Sequence, residues 1–196
     1  MKRYGAVISA VCIALSILGC AQVEFVEPPL AKISGSFLLT SPAVEDGGML
    51  PVEFTGDGAA ATLPLSWRGT PEGTTSFAMI MHHIAPDQTK WYWILYNIPA
   101  ATTALPINVS GVGTRGNNTV NDRAEYAPPH SKGPGKKTYI YTVYALSAPV
   151  TFDSSPDRVG RPELLAAMHG KILASAELKT VYERKGFSDP EPRGRK

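Results

Sequence analysis

The stretch SFAMIMHHIAPDQTKWYWILYNIP, residues 76–99, sets the architecture of this chain. Residues 76–84 and 93–98 are runs of β-branched, aromatic and other apolar side chains, and the polar segment between them passes through Pro86. That is the pattern of two strands joined by a hairpin loop. Successive strand side chains point to opposite faces of a sheet. In the first run Ala78, Ile80, His82 and Ile84 share one face, and Phe77, Met79, Met81 and His83 share the other. Only one of the two adjacent histidines can therefore face a given side. In the second run Tyr92, Ile94 and Tyr96 alternate with Trp91, Trp93 and Leu95. Cross-strand pairing predicts His82 beside Tyr92, close to the Pro86 loop, as one wall of a pocket.

A second stretch, YAPPHSKGPGKKTYIYTVYAL at 126–146, opens with a Pro- and Gly-bearing loop that holds His130, Lys132, Lys136 and Lys137. It then becomes a strand, 138–146, rich in β-branched and aromatic residues. Further strands are predicted at 36–39, 52–55 and 65–67, separated by Gly, Pro, Asp and Asn clusters. This spacing reads as a mainly β sandwich. A helix is predicted over 162–169, with Pro162 in its first turn, Glu163 at its positive end and Gly170 after it. A turn at 157–160 precedes it. The run 172–182 fits strand or helix by pattern, since Ala174 and Ala176 favour neither.

The chain begins MKRYGAVISAVCIALSILGC. Lys2 and Arg3 form a basic start, and 6–18 is an apolar run too short to span a bilayer, which reads as a secretory signal. Ile17, Leu18, Gly19 and Cys20 resemble a bacterial lipobox, in which the cysteine is lipidated and becomes the first mature residue. The only cysteines are Cys12 and Cys20. Cys12 leaves with the signal, so the mature chain can form no internal disulfide, and lipidation accounts for the remaining thiol. The expected organisation is a signal at 1–19, a tether at 20–34 containing Pro28 and Pro29, one domain at 35–184 and a disordered polar tail at 185–196. The expected location is the periplasmic face of a bacterial membrane. Removing the signal takes Lys plus Arg from 19 to 17, against 17 Asp plus Glu, so the mature protein is formally neutral. A neutral, exported domain without a basic stripe is not a nucleic-acid binder.

Together these segments resemble the phosphatidylethanolamine-binding protein family, in its bacterial Raf-kinase-inhibitor-like branch. Other matching pieces are LPVEFTGDGAAATLPLSW at 50–67, NIPA at 97–100, GVGTRGNN at 111–118 and LLAAMHGKILASAELKTVYER at 164–184. The resemblance spans residues 36–184 and implies a Greek-key β-sandwich with one or two peripheral helices, with a strand at 172–182. It also implies a shallow anion-accepting pocket at one end. The family's Asp-Pro-Asp-Ala-Pro is matched here by His82, His83, Ile84, Ala85 and Pro86, and its following His-Trp by Tyr92 and Trp93. Both aspartates and the histidine are thus replaced. In the next loop Pro128, Pro129 and His130 stand near the family's proline-rich segment, and Tyr139 matches its tyrosine. The family's Gly-His before the last strand is Gly170 and Lys171.

The candidate ligand residues are His82, Pro86, Tyr92, Trp93, Pro129, His130 and Tyr139. With no carboxylate at the aligned positions, and with lysines on the loop, the site is more positive than the family pattern. It suits a small anion or phospholipid-derived headgroup better than an ammonium. The plainer reading makes His82 a buried histidine bonded to Tyr92, gives His83 a structural role, and makes Trp91 and Trp93 packing residues. No covalent chemistry, cofactor or metal is expected. The chain has no HExxH, no His-x-His, no Gly-x-Ser-x-Gly and no phosphate loop before a helix. Residues 113–118 could form a small nest of backbone N–H groups. Two rival readings are a protein-interaction or inhibitor module using the same pocket end, and a metal-dependent hydrolase built on His82 and His130.

Overall fold

The computed structural model describes residues 36–130 and 135–184. The proposed signal, lipobox cysteine, tether and tail, with Lys132 of the loop, lie outside those residues. The described chain folds into two sheets. The smaller contains β1 (Leu38–Thr40), β3 (Leu65–Arg68) and β6 (Ala104–Leu105), in the order β1-β3-β6. The larger contains β2 (Gly48–Met49), β4 (Ser76–Ile84), β5 (Thr89–Pro99), β7 (Thr114–Arg115), β8 (Lys137–Leu146) and β9 (Ile172–Tyr182). Its order is β2-β9-β8-β4-β5-β7. Only β2 against β9 is parallel. The fold is therefore mainly β, as the sequence pattern indicates, with one helix, α1 (Arg161–Met168), on the outer face of the larger sheet.

Two apolar layers hold these parts together. Phe77, Met79, Met81, Trp93, Leu95, Tyr139, Tyr141, Val143, Ala174, Ala176 and Leu178 point from the larger sheet toward Phe37, Leu39, Leu65 and Trp67, forming the core between the sheets. Ala78, Ile80, Ile94, Tyr96, Tyr144 and Leu146 point the other way, onto Leu164, Leu165 and Met168 of α1. Both faces of the central strands are buried, which is why β4 reads as an almost unbroken apolar run rather than a clean alternation.

The ambiguous segment 172–182 is a strand. Ala174, Ala176, Leu178, Thr180 and Tyr182 are buried at alternating positions, and ten residues pair with β8. The predicted strand at 52–55 is instead a single 3-10 turn, Val52–Phe54. Pro51 leads into it with φ −58°, and the Thr55 N–H and hydroxyl both donate to the Val52 carbonyl. Only Phe54 turns inward, while Val52 lies exposed.

The hairpin carries the main departure from simple alternation. Met81 pairs with Trp93, but His82 pairs with Trp91, so Tyr92 is an extra residue in a bulge. The bulge sends both Tyr92 and Trp93 into the core between the sheets and turns Trp91 toward the helix face. The predicted neighbourhood of His82 and Tyr92 is therefore not formed. A second irregularity at Asn97, which has φ 53°, places Leu95 and Ile98 on one side. The Asn97 amide is fixed by two hydrogen bonds with the Val150 backbone, each 2.9 Å.

Candidate functional site

At one end of β4, β5 and β8 a cleft of about 290 Å³ is lined by Gln88, Lys90, Tyr92, Thr119, Val120, Pro128, His130 and Lys137. Four candidate residues meet in or directly under it. Tyr92 forms part of the wall, and its ring packs edge-on against Tyr139 at a centroid distance of 5.3 Å. Tyr139 itself is fully buried behind that wall. Pro129 is buried, and its carbonyl accepts the Gly56 N–H at 2.8 Å, which anchors the chain just before His130. His130 is half-buried and lines the cleft.

The other three candidates lie elsewhere. Trp93 is in the core, its ring edge-on to Tyr126 at 5.6 Å. Pro86 is exposed in the hairpin turn, which is closed by the Ala85 N–H donating to the Gln88 carbonyl. His82 points to the opposite face of the sheet, where it lines a separate cleft with Arg161 and Tyr144. The histidine that β4 turns toward Tyr139 is His83, at a ring distance of 5.6 Å. Its Nδ1 is 2.8 Å from the Thr138 carbonyl, which can only accept, so Nδ1 bears the hydrogen. His82 and His130 line clefts on different faces, so the pairing that a shared metal would need is not made. Among the described residues no three His, Cys, Asp or Glu side chains gather to hold a metal.

The structure also supplies a carboxylate from outside the aligned segment. Asp57, in the Gly-Asp-Gly turn at 56–58, places Oδ1 3.6 Å from His130 Nε2 and 2.8 Å from Arg184 Nε. Its other oxygen accepts the Tyr182 hydroxyl at 2.6 Å. Gly56 makes this approach feasible, because a Cβ there would lie 2.5 Å from His130 Nδ1. The sequence clue was the pair of glycines flanking Asp57, which permits close backbone approach but does not say to what.

The second wall is held by residues 117–125. Asn118 is fully buried. Its amide donates to the carbonyls of Arg123 and Glu125, and its side-chain oxygen accepts the N–H groups of Val120 and Asn121. Thr119 binds the Trp91 backbone through both its N–H and its hydroxyl. Residues 117–119 therefore brace β5: the Asn117 N–H goes to the Val159 carbonyl, and its own carbonyl accepts the Trp91 indole N–H.

Burial raises the hydroxyl pKa of Tyr126, Tyr139 and Tyr141 well above 10. Tyr92 is raised as well, mainly by burial, with the neighbouring Tyr139 hydroxyl pulling the other way. At neutral pH the tyrosines therefore act as neutral hydrogen-bonding groups. The cleft's charges are Lys90, Lys137 and, when protonated, His130, with Asp57 behind the histidine. Such a surface favours an oxygen-rich anion.

This arrangement is a two-sheet β-sandwich with a cationic cleft at the end of its central strands. The chain belongs to the phosphatidylethanolamine-binding protein family, whose model matches residues 40–183. A UPF0098 protein of Methanothermobacter thermautotrophicus is 31% identical over 151 residues, covering 74% of this chain and 98% of that protein. The UPF0098 protein YbcL of Escherichia coli is 31% identical over 174 residues, covering 78% of this chain and 90% of that one. Among solved structures, a phosphatidylethanolamine-binding protein homolog from Chlamydia trachomatis superposes with a TM-score of 0.70 at 29% identity. That match covers 77% of this chain and 99% of the homolog. The structure of Escherichia coli YbcL, described as a member of the mammalian family, superposes with a TM-score of 0.69 at 27% identity, covering 77% and 100%.

Proposed function

We propose that this protein is an exported, lipid-anchored member of its family that binds a small anionic or phospholipid-derived ligand in the cleft between Tyr92 and His130. The observation that carries this reading is the meeting of His130, Lys90, Lys137 and Tyr92 on one cleft, with Asp57 positioned against His130. The lysines and imidazole bind the anion's oxygens, and Tyr92 donates a further hydrogen bond. Asp57 holds the imidazole in place. With Nε2 of His130 turned toward a carboxylate, the ring is oriented before any ligand arrives, which reduces the ordering cost of binding. Binding alone is proposed, without a bond-breaking step.

Anchoring rests on Lys2, Arg3, the apolar run and Cys20 of the sequence. Labelling of cells with a radioactive fatty acid tests it: the label enters the wild-type protein and is absent from Cys20→Ala. For the ligand, glycerol phosphate and glycerophosphoethanolamine are titrated into the Cys20→Ser protein. Binding of both with equal affinity identifies the phosphate as the recognised group. Binding of neither, in a folded protein, overturns the assignment.

A further inference from the structure

We infer that the Tyr92–His130 cleft selects phosphate monoesters over phosphate diesters. The selectivity rests on that cleft being the anion site proposed above. Lys90 lies in β5, opposite His83 of β4, and Lys137 opens β8 on the other side of β4. Neighbouring strands are spaced about 4.8 Å apart, so the two lysine backbones stand roughly 10 Å apart and border one cleft from two sides. Their flexible stems allow both ammonium groups to reach one oxyanion. His130 approaches the same cleft from the proline-rich loop.

The pairing of these cations is what needs explaining. Lys90 and Lys137 are half-buried, and among the described residues neither is in an ion pair, whereas Lys179 is held by Glu177 and Arg184 by Asp57. The carboxylates of the surrounding loops are turned to other partners. Asp87 accepts the Gln88 amide at 3.4 Å, Asp122 the Asn117 amide at 2.8 Å and Glu125 the Asn121 amide at 2.6 Å. None of the three lines the cleft. Asp57 stands closer, but Arg184 holds it at 2.8 Å and His130 only at 3.6 Å. With a neutral imidazole, Lys90, Lys137 and Arg184 against Asp57 leave a surplus of two positive charges. Like charges gathered on one half-buried surface repel each other unless a counter-ion joins them.

Charge and the number of donors select the ester class. At neutral pH a phosphate monoester carries about two negative charges, and it has three terminal oxygens. These match the charge surplus and the three groups Lys90, Lys137 and His130. A diester carries a single negative charge and two terminal oxygens, so it leaves one of the three without a partner. The ester arm of the monoester leaves over Pro128 and the exposed Val120, the apolar residues of the cleft's lining. An intact phospholipid headgroup is attached through a diester, so the cleft favours derivatives whose phosphate is terminal.

The test titrates glycerol phosphate and glycerophosphoglycerol, a monoester and the diester made from it, into the Cys20→Ser protein by calorimetry. The titrations are run at about pH 7.5, where the monoester is mostly the dianion. Glycerol phosphate is expected to bind about tenfold more tightly. Lys90→Gln and Lys137→Gln are each expected to weaken glycerol phosphate about tenfold and glycerophosphoglycerol less, so that the preference shrinks. The comparison in the parent protein needs no variant, so a folding defect in either one leaves it decisive. Equal affinity for the two probes overturns the selectivity while the anion site itself stands. An undiminished preference in both folded lysine variants overturns it in the same way. Binding of neither probe overturns the anion site and the selectivity together.

Discussion

His130 holds its Nε2 3.6 Å from an oxygen of Asp57, a carboxylate that also accepts hydrogen bonds from Tyr182 and Arg184. One residue in the turn at 56–58 thus ties the proline-rich loop to the end of β9. The Asp57 side chain is 19% exposed, so these contacts are only partly screened by water. Asp57→Ala is predicted to lower unfolding stability by about 2 kcal/mol in urea denaturation. Asp57→Asn, which keeps an acceptor for Tyr182, recovers part of that loss. A stability unchanged in Asp57→Ala would show that the network is not formed in solution.

Gly56 makes the same contact from the backbone side. A Cβ there would lie 2.5 Å from Nδ1 and 3.0 Å from Cβ of His130, so the imidazole must move. Gly56→Ala is predicted to weaken phosphate binding about tenfold, read by calorimetry, because a displaced imidazole loses its bond to the anion. Retention of wild-type affinity would place His130 outside the ligand's reach.

Asn118 is the main brace of the second wall, satisfying four backbone groups from a fully buried position. Asn118→Ala takes this partner from the Val120 and Asn121 N–H groups and from the Glu125 carbonyl, while the Arg123 carbonyl keeps the backbone N–H groups of Asn118 and Glu125; a cost of about 2 kcal/mol is predicted in thermal or urea unfolding. Asn121→Ala removes a side-chain bond that Asn121 makes with Glu125 on the surface, and its effect is predicted to be much smaller.

The buried tyrosines set an alkaline limit. Tyr126, Tyr139 and Tyr141 hold their protons in the fold above the ordinary value of 10.0, chiefly because burial disfavours the phenolate. Below pH 10 folded and unfolded chains bind the same protons, so these groups add no pH dependence. Above pH 10 the unfolded chain releases protons that the folded one retains, and stability falls as pH rises. The melting temperature should stay level up to about pH 10 and then decline, with tyrosinate absorbance from these three growing only as the protein unfolds. Tyr141→Phe should flatten the decline. Its hydroxyl is buried without a partner among the described residues, so the substitution should leave neutral-pH stability unchanged or raise it by about 1 kcal/mol.

The strands with strong patterns, β4 and β8, were legible in the sequence because both of their faces carry mostly apolar or aromatic residues along strands of nine and ten residues. The strands β2, β6 and β7 have two residues each, too few for any periodicity to register. The error that mattered for the site was parity. Alternation through 91–93 places Tyr92 opposite Trp93, but a single bulged residue brings both to one side and leaves His82 on the other. A bulge depends on the pairing of two strands, so the pattern of one strand cannot reveal it. Tyr92, Pro129, His130 and Tyr139 were grouped by the positions they take in the family pattern, not by any periodicity of their own strands. Asp57 could not be grouped with them, because its partners lie 73 and 127 residues further along the chain.

The measurement that tests the central claim most directly is a calorimetric titration of glycerol phosphate into the Cys20→Ser protein and its His130→Ala and Tyr92→Phe variants. The account predicts saturable one-to-one binding in the parent, loss of about tenfold or more in His130→Ala and a smaller loss in Tyr92→Phe, with melting temperatures showing both variants folded. Equal affinity in all three proteins would contradict the assignment of the anion to the Tyr92–His130 cleft.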